Sequence, residues 1–272
     1  MFVVTLDMRA CVPYFTATKK HKYVILTPEW ISRICELCGM TLYVGTSGYS
    51  YKEWKGSFYP EKIAPKDMLA YYASRLHAVE LNNTFYRMPQ PSMIESWKAQ
   101  VPENFRFSVK APQLITHFRR LKEAGPQTRI MLKTVSALQE RLGAVIFRLP
   151  DDMKKDVKRL ETFLKVLPAD TPAVFDFRHP TWFDDDVVAL LRSQKRVFCV
   201  SDIEELPESY TYKTADWGYV RLRREKYTKA ELVKWLKRIR AHKWKDTYVF
   251  FKHEDEGTGP KLAAQFESLA AD

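Results

Sequence analysis

Cysteine is scarce in this 272-residue chain: Cys11, Cys35, Cys38 and Cys199 are all there are. A small disulfide scaffold is far denser in cysteine, so that class is excluded, and a reducing, cytoplasmic compartment fits. The lone Cys35-x-x-Cys38 pair is half of what a zinc site needs and reads as two incidental thiols. No apolar run approaches the ~18 residues of a membrane helix, so no span and no membrane partner is expected. No basic segment leads into an apolar run with a small-residue cleavage site, so no signal peptide is read. The glycines spell neither G-x-G-x-x-G nor a Walker loop, and there is no G-x-S-x-G elbow. The six histidines (His21, His77, His117, His179, His242 and His253) include no pair at metal spacing. Glu80, Asp176, Asp202 and His179 offer oxygen-rich ligation, but the many cations nearby oppose it, and no metal is expected. The sequence names no cofactor.

What is present is an ordinary globular composition, 46% apolar and 14% aromatic. Lys plus Arg is 44 against 33 for Asp plus Glu, a formal charge of +11. Residues 1–39 read as an N-terminal extension, either an upstream translation or a loosely ordered appendage. Within it, 1–6 reads as a short strand and 28–37 as an amphipathic helix with Trp30, Ile31, Ile34 and Leu37 on one side. At Met40 the texture changes, and 40–272 is a comfortable size for one α/β barrel.

From there, short apolar runs alternate with helical patterns, which argues for βα units around a parallel sheet. Strands are expected at 42–46, 78–81, 106–109, 144–149, 173–177, 197–200, 218–222 and 247–251. Helices are expected at 66–75, 92–100, 128–141, 157–166, 185–192 and 229–240. The helix between the sixth and seventh strands is expected to be missing or irregular. Eight strands with intervening helices predict a single-domain TIM-type (β/α)₈ barrel, with a doubly wound open sheet as the alternative.

Barrel chemistry sits at the C-terminal ends of the strands. That rule gathers Tyr49 and Trp54 after strand one, and Glu80 and Asn82 at strand two. Lys110 follows at strand three, Arg148 at strand four, and Asp176, Arg178, His179 and Trp182 at or beyond strand five. Arg221 and Lys252 end strands seven and eight. Side chains alternate along a strand, so Asp176 shares a face with Arg178, Glu80 with Asn82, and Ser108 with Lys110. Charges inside apolar strands are costly unless paired, so these form either salt-bridged core layers or a polar pocket. Cations outnumber acids there, which favours an anionic ligand held by arginine. Glu80 or Asp176 is the expected general base, and Lys110 or His179 the acid or electrostatic stabiliser. The plainer reading is that the acids orient the arginines.

A second signal is basic. From Arg221 to Lys245 eleven Lys or Arg face only Glu225 and Glu231. Leu232, Trp235, Leu236 and Ile239 form the buried stripe of that helix. Lys234, Lys237 and Arg238 fall outside it, with Tyr227 and Trp244 available for stacking. That is the footprint of a nucleic-acid binder or nuclease, and otherwise a solvated helix face.

Several segments resemble one family. They are Val44-Gly45-Thr46-Ser47-Gly48-Tyr49 with Trp54 and Phe58-Tyr59-Pro60, Val79-Glu80-Leu81-Asn82-Asn83-Thr84-Phe85-Tyr86, and Phe107-Ser108-Val109-Lys110-Ala111-Pro112. Phe177-Arg178-His179-Pro180-Thr181-Trp182 and Phe251-Lys252-His253-Glu254 complete the set. Together they resemble the YecE-like family, bacterial domain of unknown function seventy-two, across 40–272. The resemblance implies a TIM-type barrel and a cytosolic protein, and implies no established reaction. Asp176 stands where that family more usually has Glu, Arg148 where Gln is usual, and Lys252 where Asn is frequent. Arg223-Arg224 replaces an HG-like pair. Each change enriches the mouth in cations. The expected function is an enzyme acting on a small anionic, phosphorylated or sugar-like metabolite. Lys110, Arg178 and Arg221 would hold the anion, Asn82 and His179 would orient the ligand, and Tyr49, Trp54 and Trp182 would wall the pocket. Nucleic-acid association is the alternative.

Overall fold

The computed structural model describes residues 39–202, 212–252 and 255–271. It also describes the backbone of a two-residue ribbon, Leu6–Asp7 antiparallel to Val12–Pro13. The helix read at 28–37, all but Leu6 of the strand read at 1–6, Cys11, Cys35, Cys38, His21 and His253 lie outside the described residues. So does 203–211, where the helix is expected to be missing.

Nine parallel segments make the main sheet. They are β1 (Thr41–Ser47), β2 (Ala78–Leu81), β3 (Arg106–Lys110), β4 (Leu142–Arg148) and β5 (Ala173–Asp176). Then come β6 (Val197–Phe198), β7 (Val200–Asp202), β8 (Gly218–Leu222) and β9 (Asp246–Phe251). Neighbours follow chain order, with β9 lying beside β1 in register Val249 to Val44. The sixth barrel strand is broken at Cys199. Its first half, β6, pairs with β5, and its second half, β7, pairs with β8. One stretch of chain therefore serves both edges, and the sheet curls into a nearly closed α/β barrel of the TIM type. The eight expected strands are found, the sixth as two pieces.

Around the ring lie α1 (Met68–Ala73), α2 (Asn83–Tyr86), α3 (Pro91–Ala99), α4 (Gly125–Val135), α5 (Val157–Leu164), α6 (Asp185–Ser193), α7 (Lys229–Ala241) and α8 (Thr258–Ala271). The single turn α2 and the C-terminal α8 are additions to the expected six. The helix expected at 128–141 instead runs over α4 and passes into a 3₁₀ segment, Ser136–Arg141, with Gln139 at positive φ. Local chemistry explains the starts. Proline stands at the first or second position of α3 and α4, where its missing N–H is no loss. In α7, Thr228 and Glu231 form a reciprocal capping box.

Two cores follow from the side-chain alternation. Outside the barrel, Phe147 stacks on Phe175 at 5.3 Å, and Phe163 from α5 meets Phe147 edge-on. Each such buried side chain contributes roughly 1.5–3 kcal/mol. Inside, Ala78, Ala144, Ile146, Val174, Cys199, Tyr219 and Phe250 fill the lower half. Gly45 belongs there by necessity, because a Cβ on it would fall 1.8 Å from the Ala78 carbonyl oxygen. The close approach is completed by Tyr72 of α1. Its hydroxyl accepts from Thr46 N–H at 2.8 Å and donates to Ala78 O at 2.9 Å. No helix of the described residues is long and apolar enough to cross a membrane.

Candidate functional site

Above the apolar interior the inward-facing positions turn polar. The next layer holds Ser47, Glu80, Asp176, Ser201 and Arg221, all buried. Arg221 is its centre. One terminal nitrogen donates to Glu80 Oε1 at 2.7 Å and the other to Asp176 Oδ2 at 2.5 Å. Ser47 Oγ donates to the same Glu80 oxygen, and Tyr219 Oη donates to Glu80 Oε2 at 2.7 Å. Arg178 Nη2 and Ser201 Oγ both donate to Asp176. The layer is thus a continuous hydrogen-bonded chain spanning strands that are not sheet neighbours.

This geometry settles the charge states. Burial pushes the Glu80 carboxyl up, but Arg221, Tyr219, Lys110 and Ser47 outweigh it and hold it below its usual value. For Asp176, burial is likewise overcome by Arg178 and Arg221, which hold it well below the carboxylate range. Burial would lower Arg221, but Glu80 and Asp176 raise it further. Both carboxylates are therefore ionised and saturated with donors. Through these bonds they hold the terminal nitrogens of Arg221 and one of Arg178. Neither is arranged as a general base, and Arg221 has both terminal nitrogens engaged by protein carboxylates.

One step further along each strand lies the top layer: Asn82, Lys110, Arg148, Arg178, Arg223 and Lys252. Five of these six are cations, and several lack partners. Lys110 is 8% exposed. Its ammonium lies 4.0 Å over the Phe85 ring and makes no ion pair among the described residues. Burial pushes it down to about 8, with Arg221 and Arg148 pushing the same way and Glu80 opposing. Arg223 also lacks an ion pair among the described residues, and its Nη1 is buried without a hydrogen-bond partner. Burial, then Arg221 and Arg178, push its pKa down to about 10. Arg148 pairs with the exposed Asp151 at 3.1 Å, while its Nε is buried and unpartnered. Arg178 Nε is in the same condition. His117 is lowered by burial and then by Arg148 and Lys110.

A cleft of ≈ 320 Å³ opens at the same end of the barrel, over β1 and β2. Gly48, Tyr49, Ser50, Tyr51, Leu81, Asn82 and Asn83 line it. Tyr49, read from sequence as a wall residue, and Asn82, read as orienting a ligand, both line this cleft. Gly48 adopts φ +90° there, a conformation open to glycine. Among the described residues no group of three or more His, Cys, Asp or Glu gathers as metal ligands.

Other expected site residues are not brought to the mouth. Trp54 is fully buried among Tyr51, Phe58 and Tyr59. Trp182 is fully buried too, stacked on Phe177 at 4.7 Å with its indole N–H donating to Met153 O. Both are outer-core residues and not pocket walls, because their rings are larger assets to the apolar layer than any rim contact. His179 does not reach the ligand space either. Its Nδ1 accepts from Thr181 N–H at 3.3 Å and lies 2.9 Å from Thr181 Oγ1, capping a 3₁₀ turn. Lys252 follows the end of β9, half-buried, and its N–H donates to Leu222 O.

On the basic face, Lys234 and Lys237 are exposed and Arg238 lies over Trp235 at 4.8 Å. The aromatics offered for stacking are not available. Tyr227 is buried, with its hydroxyl donating to Asp202, and Trp244 is buried against His242 at 4.3 Å.

The residue of these layers missed from sequence is Tyr219. The signal existed, since Tyr219, Arg221 and Arg223 share one side of a strand by the same period of two that paired Asp176 with Arg178.

The comparisons agree with this geometry. The family described as "Protein of unknown function DUF72" matches residues 43–272. The UPF0759 protein YecE of Escherichia coli K12 is 28% identical over 143 residues, 52% of this chain and 50% of that one. YunF of Bacillus subtilis 168, also a UPF0759 protein, is 27% identical over 180 residues, 61% of this chain and 62% of that one. The matches thus span about half to three-fifths of the length of these relatives. A crystal structure of a DUF72 family protein from Thermotoga maritima MSB8 is similar with TM-score 0.74 and 28% identity, covering 85% of this chain and all of that one. Another, from Enterococcus faecalis V583, has TM-score 0.72 at 18% identity, covering 85% and 95%, and shares the fold. The chain therefore belongs to the DUF72 family of proteins of unknown function, whose solved members share its barrel fold.

Proposed function

We propose that the protein is an enzyme acting on a small anionic metabolite, phosphorylated or carboxylated, at the C-terminal mouth of the barrel. One observation carries the reading: cations at the mouth with nitrogen atoms that no group of the described residues satisfies. A guanidinium or ammonium taken out of water without a counter-charge is destabilising. Among the described residues the buried Lys110 makes no ion pair, the half-buried Arg223 has a buried Nη1 without a hydrogen-bond partner, and Arg148 and Arg178 each have an unpartnered buried Nε. An anion supplies the missing acceptors, and bidentate arginine suits carboxylate or phosphate geometry. Asn82 and Tyr49, lining the adjacent cleft, orient the uncharged part of the ligand. Glu80, Asp176 and Arg221 hold the ring in place from below. Few cysteines, one of them the buried free thiol Cys199, fit a cytoplasmic setting.

The test is a thermal-shift and calorimetric screen of the full chain with sulfate, sugar phosphates, carboxylates and short oligonucleotides, at low and high salt. A concentration-dependent rise in Tm from a small anion, kept at high salt and lost in Arg178→Ala and Arg223→Met, is the expected result. No rise from any small anion overturns the reading. A rise only from oligonucleotides, erased by salt, moves the function to Lys234, Lys237 and Arg238.

A further inference from the structure

We propose that Lys110 is a covalent nucleophile, condensing with the carbonyl group of an anionic aldehyde or ketone. This rests on the anion-binding reading and narrows its substrate class to carbonyl compounds.

The geometry isolates this amine. Lys110 ends β3, and its backbone is fixed by Thr84 Oγ1, which donates to Lys110 O at 2.7 Å. Its side chain is almost wholly buried, with an aromatic face beneath the ammonium. A buried structural lysine is normally held by a carboxylate. Glu80 is the nearest in charge influence, but its oxygens already accept from Ser47, Arg221 and Tyr219. Among the described residues no carboxylate pairs with the Lys110 nitrogen, whose one contact of note is the Phe85 ring face.

Desolvation and neighbouring cations are the two devices that make a lysine nucleophilic near neutral pH. Both act here, through burial and through Arg221 and Arg148. With its pKa at about 8, the free-amine fraction at pH 7.5 is roughly a hundredfold above that of an ordinary lysine. Arg148 and Arg223 would seat the anionic group of the ligand. In the step itself the neutral amine attacks the carbonyl carbon and a C–N bond forms. The carbonyl oxygen leaves as water, taking one proton from the nitrogen and one from solvent. An iminium remains, its positive charge facing Glu80.

The experiment treats the full chain at pH 7.5 with pyridoxal 5′-phosphate, and in parallel with the smaller glycolaldehyde phosphate, followed by borohydride. The hydride reduces the iminium carbon to a stable secondary amine, located by peptide mass spectrometry. Labelling at Lys110 is expected to exceed that at Lys234 and Lys237 by about tenfold or more, given its larger free-amine fraction. Sulfate should protect it, and pyridoxal lacking the phosphate should label it less. Lys110→Met, checked for folding by circular dichroism, should lose the adduct. If both probes label Lys110 no more than Lys234 while sulfate still raises Tm through Arg223, the nucleophile is refuted and the anion site stands. If sulfate has no effect and no adduct forms, both fail. Equal labelling by pyridoxal, unprotected by sulfate, overturns the anionic substrate class.

Discussion

Arg221 donates to Glu80 across the barrel interior at 2.7 Å, tying β8 to β2, two strands that share no sheet hydrogen bond. Breaking a buried pair of this kind leaves an uncompensated charge and costs about 3–5 kcal/mol. Arg221→Met should lose that much stability in urea unfolding. Adding Glu80→Gln should cost less than the sum of the two single changes, because the two groups are in direct contact. A loss under about 1 kcal/mol for Arg221→Met would mean the chain of hydrogen bonds is not a structural tie.

The pH dependence has two separate windows, and in both stability rises with pH. Glu80 and Asp176 are lowered in the fold, so their contribution is present above about pH 4 and is lost as pH falls through their folded values. Lys110 acts in a higher window, where raising the pH relieves a penalty. Its folded pKa of about 8 lies below an unfolded value near 10.4, so between those limits the unfolded chain binds more protons. Stability contributed by this site rises from pH 8 to pH 10. Unfolding free energies of wild type and Lys110→Met, measured at pH 7 to 10, should show the difference moving in favour of wild type. A flat difference contradicts the burial of a charged lysine.

Trp182 and Trp54 separate core from pocket. Truncating a buried aromatic of this size costs about 3–5 kcal/mol. Trp182→Ala should be destabilised by that much, and further by the orphaned Met153 carbonyl. Below its lowered Tm it should bind sulfate as wild type does. A selective loss of sulfate binding with an unchanged Tm would put Trp182 back in the wall.

Much of this architecture is legible in the residues. Runs such as Ala78–Leu81 and Gly218–Leu222 have no competing helical period, and their bounds coincide with the expected strands. The break at Cys199 leaves no mark on the sequence, because it comes from one segment having to pair with β5 and β8 at once. The polar mouth was legible through alternation at Asp176 and Arg178, yet Arg223 lay one residue past the end of its strand. Trp54 and Trp182 follow strand ends, as wall residues would. Only the rings packed around them show that they face outward into the core. Charge states were not legible, since they depend on Arg221 reaching both Glu80 and Asp176.

The central claim is that the top layer is an anion site with cationic nitrogens that its pairs among the described residues leave unsatisfied. It is tested most directly by measuring sulfate affinity and unfolding free energy together for Arg223→Met. A charge-assisted hydrogen bond contributes about 1.5–3 kcal/mol, so sulfate should bind roughly ten- to a hundredfold more weakly. Stability without sulfate should be unchanged or higher, because a half-buried guanidinium with an unsatisfied buried nitrogen has been removed. Unchanged sulfate affinity, with a stability loss of several kcal/mol, would contradict the claim and make Arg223 an ordinary structural residue.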